Sequence, residues 1–303
     1  MRRALAPFVV PLLALSLLAG CGGGEPETPT SSAPPLGDLL ADTAIATKTQ
    51  HSASYALDGE VSVEGSSSNP ALQLIASQPI QLRLDGGASA TAFSASGTVS
   101  ALGKKYSGEV LADEQGLYLN LQGNWYGSRE LGIDTLKRLL RARLSASPGT
   151  SQLRTVQQLR EHAGEILTGS VSDGPTLDGA RTWEFDGHLN AVGIAALSRE
   201  SGQPLTAQQR ETLETLQKNV EVTIDIGKDD DLLRRFDLAI ELTSAELERL
   251  SSASSSSLSG LSAIHLSLTL DLSKWGEAVS ITPPSSYKPL AGLTQGLFGL
   301  VQS

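Results

Sequence analysis

The chain has 303 residues, a formal net charge of -10 and a sequence pI near 4.9. An acidic balance of that size lacks the electrostatic footprint of a nucleic-acid binder and argues against adhesion of the whole surface to anionic lipid. Cys21 is the only cysteine, which excludes an internal disulfide and a multi-thiolate metal site.

The first segment reads as an export signal. Arg2 and Arg3 form a short positive region, and Ala4 to Leu18 is apolar apart from Pro7, Pro11 and Ser16. The run is too short, and too interrupted by proline, for a membrane span of ~20 residues. It ends on Leu18-Ala19-Gly20-Cys21. This tetrapeptide resembles the lipobox of bacterial lipoproteins. The resemblance implies acylation of the Cys21 thiol, cleavage after residue 20, and attachment by lipid to the extracytoplasmic face of the cell membrane. Acylation would also remove the liability of a lone reactive thiol on an exported protein. Residues 1–20 are therefore read as a signal peptide. Residues 21–37, rich in Gly, Pro, Ser, Thr and Glu, are read as a tether with too little apolar surface to offset the entropy of ordering. Residues 38–303 are read as a single domain, within the size that one core supports.

From there the chain shows the period of half-buried strands. Tyr55 with Leu57, Val61 with Val63, Ile80-Leu82-Leu84 and Leu117-Leu119-Leu121 alternate apolar and polar positions. Asp58-Gly59 and Asp85-Gly86 look like turns between such runs. Ile133 to Leu144 follows helical spacing, with Ile133, Leu136, Leu140 and Leu144 on one stripe. Ser151 to Leu167 is a second helix by the same criterion. Trp183 and Phe185 belong to a strand after the Asp178-Gly179 turn, and Leu189 to Ser198 and Thr206 to Lys218 form a helical pair. Thr206 followed by Gln209 is a capping box. The clearest alternation comes last: Val220 to Ile226, Phe236 to Leu242, and Ile264 to Leu272. Ser251 to Ser259 reads as a loop between strands, and Leu290 to Val301 as an apolar, Gly-spaced tail that docks on the body or lies loose.

One wet and one dry face is the mark of antiparallel sheet. Strands, then helices, then strands again give an α+β fold: a single strongly curved antiparallel sheet, a half-barrel, with helices over its concave dry face. Three segments carry a family resemblance. They are Gly116-Leu-Tyr-Leu-Asn-Leu-Gln-Gly-Asn-Trp-Tyr126, Thr176-Leu-Asp-Gly-Ala-Arg-Thr-Trp-Glu-Phe-Asp-Gly187 and Leu270-Asp-Leu-Ser-Lys-Trp-Gly-Glu-Ala-Val-Ser-Ile-Thr-Pro-Pro284. With the lipobox and the strand–helix–strand order, they make the chain resemble the LppX/LprG family of actinobacterial lipoproteins, related in fold to the periplasmic carrier LolA. The resemblance implies a hydrophobic cavity between sheet and helices and an acylated lipid or glycolipid as ligand. It also implies transfer to an envelope partner, without naming one.

The residues themselves support this by composition. Aliphatics dominate the dry face and aromatics make up 4% of the chain, which suits smooth apolar walls. The wall candidates are Leu119, Leu121, Val222, Ile224, Leu238, Ile240, Leu266, Leu268 and Leu270; the plain alternative is that they pack an ordinary dry core. Lys137, Arg138 and Arg141, followed by Arg143, Arg154 and Arg160, form a basic stretch that would meet a membrane or lipid headgroup. A solvated helix face is the alternative. No catalytic constellation is legible. His51, His162, His188 and His265 lack metal-ligand spacing, and Asp229-Asp230-Asp231 reads as a charged hairpin loop. No Gly-x-Ser-x-Gly elbow and no phosphate loop occurs. No cofactor, metal or catalytic residue is expected. Two functions remain: a lipid carrier of the cell envelope, or a structural or interaction lipoprotein with a filled core that binds a protein.

Overall fold

A computed structural model describes residues 33–66, 70–135, 137–138, 156–200, 204–251 and 260–290. Cys21, Arg141, Arg143 and Arg154 lie outside these residues, as do most of the helix expected over Ile133 to Leu144 and the tail beyond Leu290.

Among the described residues twelve strands form one sheet, in the order β12-β6-β5-β4-β3-β2-β1-β11-β10-β9-β8-β7. The first meander is β1 (Ser52–Gly65), β2 (Ile80–Ser89), β3 (Phe93–Ala101), β4 (Lys104–Ala112), β5 (Leu117–Leu121) and β6 (Asn124–Ser128). The second is β7 (Leu167–Leu177), β8 (Ala180–Leu189), β9 (Val220–Gly227), β10 (Leu233–Thr243) and β11 (Leu261–Ser273). Antiparallel pairing of β1 with β11 joins them, Leu57 opposite Leu270 and Val61 opposite Leu266. The two-residue β12 (Lys288–Pro289) adds to β6 in parallel. The sheet does not close, since β12 and β7 stand at opposite ends. The expected α+β class with a single antiparallel sheet holds.

Two expected turns are instead strand interior. Asp58 and Gly59 pair with Thr269 and Leu268 inside β1, and Asp85 and Gly86 pair with Ala56 and Tyr55 inside β2. Gly86 is there for close approach: a Cβ would strike the Ser94 carbonyl and the Tyr55 ring. Tyr55 covers the gap, and its hydroxyl donates to the Ser94 carbonyl at 2.8 Å. An aromatic side chain laid over a strand glycine restores the contact the glycine lacks.

The described residues include the helices α1 (Leu36–Thr49), α2 (Pro70–Ser77), α3 (Val156–Ile166), α4 (Ala191–Glu200), α5 (Ala207–Asn219) and α6 (Ser244–Ser251), and residues 133–135 and 137–138, at the start of the helix expected over Ile133 to Leu144, are helical as well. α5 carries the expected capping box, the Thr206 hydroxyl accepting from the Gln209 backbone N–H at 3.2 Å. α1 takes in Leu36 and Gly37, the last two residues read as tether. It presents Leu36, Leu39, Leu40 and Ala44 on one stripe, with Asp38 in its first turn and Lys48 in its last, as the helix dipole favours. It packs on α3 so closely that a Cβ on Gly37 would strike the Arg160 carbonyl. Arg160 bridges back to Asp38 and Asp42 at 3.1 and 2.8 Å. That contact gives one member of the basic stretch a structural partner.

Candidate functional site

The register places the aliphatics of β1–β6 and β8–β11, Leu111 of β4 apart, on one face, called here the inner face. Its upper part is closed. Leu39, Leu40 and Ala44 of α1 and Leu159 and Ala163 of α3 pack over Phe185, Ile224, Ile226, Phe236, Leu238 and Leu270. Phe185 is 1% exposed. Its lower edge is closed by a small second cluster, in which Leu247 of α6 and Ile75 of α2 meet Val63, Leu261, Leu242 and Ile264.

Between the two clusters runs an apolar lane. Ile240, Leu266, Leu268, Gly59, Val61 and Leu82 line it, and each is only half-buried. They are strand neighbours: Ile240 pairs with Leu266, Leu266 with Val61, Leu268 with Gly59, and Gly59 with Leu82. The lane continues onto the first meander. Leu82 pairs with Val99 and Val99 with Tyr106. Here the inner face opens: Val99 is 37% exposed, Tyr106 43% and Leu121 38%. Strands lie ~4.8 Å apart, so the six intervals from β10 to β5 give a lane of roughly 29 Å, comparable with the ~30 Å hydrocarbon thickness of a bilayer.

The nine wall candidates divide along this line. Val222, Ile224, Leu238 and Leu270 are buried in the upper cluster, where α1 and α3 seal them; they are packed core. Ile240, Leu266 and Leu268 line the lane, with Leu119 half-buried and Leu121 exposed at its open end. Sequence reasoning missed Val61, Leu82, Val99 and Tyr106 as members of the same surface. The signal was available, since all four fall on the apolar parity of their strands, but membership depends on pairing.

The basic stretch is partly committed to local bonds. The Lys137 ammonium donates to the Ala90 carbonyl, and Arg138 donates to the Thr135 hydroxyl at 3.1 Å. Arg138 stays exposed.

The outer face is polar, and its groups are paired across strands. Arg235 Nε meets Asp271 Oδ1 at 2.7 Å, Arg83 Nε meets Asp58 Oδ1 at 2.6 Å, and the Thr269 hydroxyl donates to Asp237. A half-open groove of about 310 Å³ is lined by the outer-face residues Glu60, Glu221, Glu241 and His265 and by Lys218, and two lane residues, Ile240 and Leu266, also border it. His265 stands 3.6 Å from Glu64 and 3.9 Å from Glu241. Among the described residues no group of His, Cys, Asp and Glu is arranged to hold a metal ion. The Asp229 to Asp231 run is a hairpin loop: Asp229 pairs with Arg181 at 3.4 Å, and Asp230 with Arg234. Lys228 sits 3.7 Å over the Trp183 ring and pairs with Asp173.

Asp225 departs from the outer-face pattern. It is 1% exposed because β7 shifts register between Asp173 and Thr176, bringing Gly174 up against Thr182 and Asp225. Loss of hydration, helped by the charge of Glu184, pushes its carboxyl up to about 6; Arg235 and Thr182 oppose this. The Thr182 hydroxyl donates to the Pro175 carbonyl at 2.6 Å and lies 3.4 Å from Asp225 Oδ1. Strict alternation marks Asp225 as a solvent position, so its burial was invisible in the sequence.

No protein-family model matches the chain, and no curated protein sequence does. Among solved structures the chain is similar to LprF from Mycobacterium bovis. The likeness covers 84% of this chain and 100% of that one, at 16% identity and a TM-score of 0.39.

Proposed function

We propose that this protein is a cell-envelope lipoprotein that receives the acyl part of a lipid in the inner-face lane and carries or presents it at the membrane surface. In this reading residues 1–20 export the chain, Cys21 anchors it, and residues 21–37 hold the folded part off the bilayer. The single observation that carries the reading is the lane: a strip of half-buried aliphatics between two packed clusters, opening onto exposed Val99, Tyr106 and Leu121. A contiguous exposed apolar strip is unfavourable in water and marks a surface that takes a ligand, a partner or a membrane. The acidic balance and the paired charges of the outer face point the apolar ligand to the inner face. A lane comparable to a bilayer's hydrocarbon thickness suits acyl chains laid across the strands.

The packed upper half favours a second reading for that half alone. Phe185, Ile226 and Leu238 are fully buried in it, as in a lipoprotein whose core only supports a surface for a protein partner.

Native mass spectrometry of the lipoprotein from its own envelope separates the two. The carrier reading expects an added diacyl-lipid mass that denaturation releases. A mass explained by the polypeptide and its anchor alone, unchanged after incubation with lipid vesicles, would support the filled-core reading.

A further inference from the structure

Three hairpins of the sheet turn on the same two-residue backbone, with both central residues at positive φ. They are Leu102-Gly103 between β3 and β4, Gln122-Gly123 between β5 and β6, and Asp178-Gly179 between β7 and β8. Such a turn favours Asn, Asp or Gly at its first position, and a bulky side chain held at positive φ is disfavoured. Of the five non-glycine residues with positive φ among the described residues, Leu102, at 54°, is the only apolar one. It is also 47% exposed. A leucine in this place serves neither the turn nor solubility, and an outlier of that kind marks a surface with another use.

The surroundings of Leu102 say what would meet it. Lys104 and Lys105 follow the turn and are the only charged residues between Asp85 and Glu109. Both are exposed, and neither has an ion-pair partner among the described residues. α2 reaches the turn from the side: the Gln78 side chain lies 3.1 Å from where a Cβ on Gly103 would stand. α2 belongs to a stretch with no charged residue between Glu64 and Arg83, and its Leu74 is 43% exposed. Val99 and Tyr106, at the open end of the lane, pair with each other three residues from the turn, ~10 Å away. Lys137 and Arg138 belong to the other end of these strands, where Lys137 bonds to the Ala90 carbonyl just before β3.

We propose that the β3–β4 turn and α2 dock on an anionic bilayer, with Leu102 and Leu74 entering the headgroup region and Lys104 and Lys105 meeting lipid phosphates. An apolar tip flanked by ammonium groups on long stems suits that interface, because the stems let the charges stay at headgroup level while the leucines enter. A protein partner is served less well, since lysine and lone aliphatic side chains are poor anchors beside Trp, Tyr and Arg. The contact is local, so the acidic balance that opposes adhesion elsewhere turns this end toward the lipid. The docking follows from the turn and its charges. That it sets the open end of the lane at the membrane rests in addition on the proposed function.

The test uses the full-length protein reconstituted in vesicles of phosphatidylcholine and phosphatidylglycerol. A fluorescent amino acid replaces Gln78, beside the turn, or Asp178, in the equivalent turn of β7 and β8. Lipid carrying a nitroxide on its headgroup should quench the probe at Gln78 several-fold more than the probe at Asp178. Leu102→Asn should reduce that quenching several-fold, as should Lys104→Glu combined with Lys105→Glu, and vesicles of phosphatidylcholine alone. The turn suits Asn, so Leu102→Asn should leave the urea unfolding midpoint unchanged or raised while docking is lost. Equal quenching at the two positions, or quenching at Gln78 that neither variant reduces, overturns the proposal. A loss produced instead by Lys137→Glu with Arg138→Glu also overturns it and moves the contact to the other end of β3. No quenching at Gln78 in any vesicle overturns it too and leaves the turn to a protein partner. Native mass spectrometry separates the two claims. Bound diacyl lipid without docking keeps the carrier reading alone, and docking without bound lipid keeps the membrane contact and removes the carrier reading.

Discussion

The two meanders of the sheet are covered differently. In the second, β8 to β11 turn their aliphatics inward under α1 and α3, and leave the outer face to cross-strand charges such as Arg235 with Asp271. In the first, the outer face is covered only in part: the segment between β11 and β12 seats Val279 on Gly87 and Tyr287 on Tyr118, and Leu111 and Tyr118, on the polar parity of their strands, are buried, while Arg83 and Asp58 pair in the open. Its inner face buries Ala95 and Ala112 and is apolar and exposed at Val99, Tyr106 and Leu121. Strand alternation is the same in both halves. What differs is which non-local segment arrives to cover each face, so one half is packed and the other keeps exposed apolar side chains, where the proposed function places the ligand.

The comparison can be broken at its strongest point first. Phe185→Ala in the closed half removes a fully buried ring and should cost about 3–5 kcal/mol in urea unfolding, while Leu121→Ala in the open half should stay within about 0.5 kcal/mol. Similar losses at both sites would erase the distinction.

The next largest effect is a pH dependence located in the second meander. Asp225 in the folded protein titrates at about 6, above its ordinary 3.8. The folded state therefore holds a proton that the unfolded state has lost between those values. The resulting stabilisation is complete below the lower value, and declines as pH rises to the higher one. Linkage sets the decline at about 2 to 3 kcal/mol between roughly pH 4 and pH 7. Asp225→Asn should abolish that slope and be the more stable protein at neutral pH. Unfolding curves across this range with parent-like steepness in the variant would refute the assignment.

A smaller effect should fall on binding alone. The inner face of Gly59 is the floor of the lane, and a Cβ there would meet Leu268 and Leu82 at ordinary contact distances, 3.4 and 3.7 Å. Gly59→Leu should thus be tolerated by the strand yet fill the lane, weakening uptake of a fluorescent acyl lipid about tenfold, or ~1.4 kcal/mol. Undiminished uptake would move the ligand elsewhere. Smallest of all, Arg160→Ala removes an exposed bridge to Asp38 and Asp42, and should lower stability by at most about 1 kcal/mol.

Much of the sheet was legible because the last three strands alternate without interruption; Ile264 to Leu272 lies wholly within β11. α1 was not, because Ala41, Thr43, Ala44 and Thr47 on its buried side are small and follow a tether-like composition, so no bulky periodicity announces it. Asp58-Gly59 and Asp85-Gly86 have turn chemistry but sit in strands, where long-range pairing overrides a local preference. The candidate site was half legible. The sequence marks which side chains share the inner face, yet cannot say that Val222 and Leu238 are buried in the upper cluster while Leu266 and Leu268, packed against it, are only partly buried. Nor could it show that β7 buries Asp225, which depends on an irregularity in strand pairing.

The central claim, that the lane between the two clusters holds acyl chains, is most directly tested by photocrosslinking. The full-length protein would be loaded from vesicles with a phospholipid bearing a photoreactive group along one acyl chain, then digested and mapped. The account predicts adducts concentrated on residues 59–63, 80–84, 238–242 and 264–268, with few on the outer-face groove near Glu221 and Lys218. Adducts spread evenly over both faces, or gathered in that groove, would contradict it.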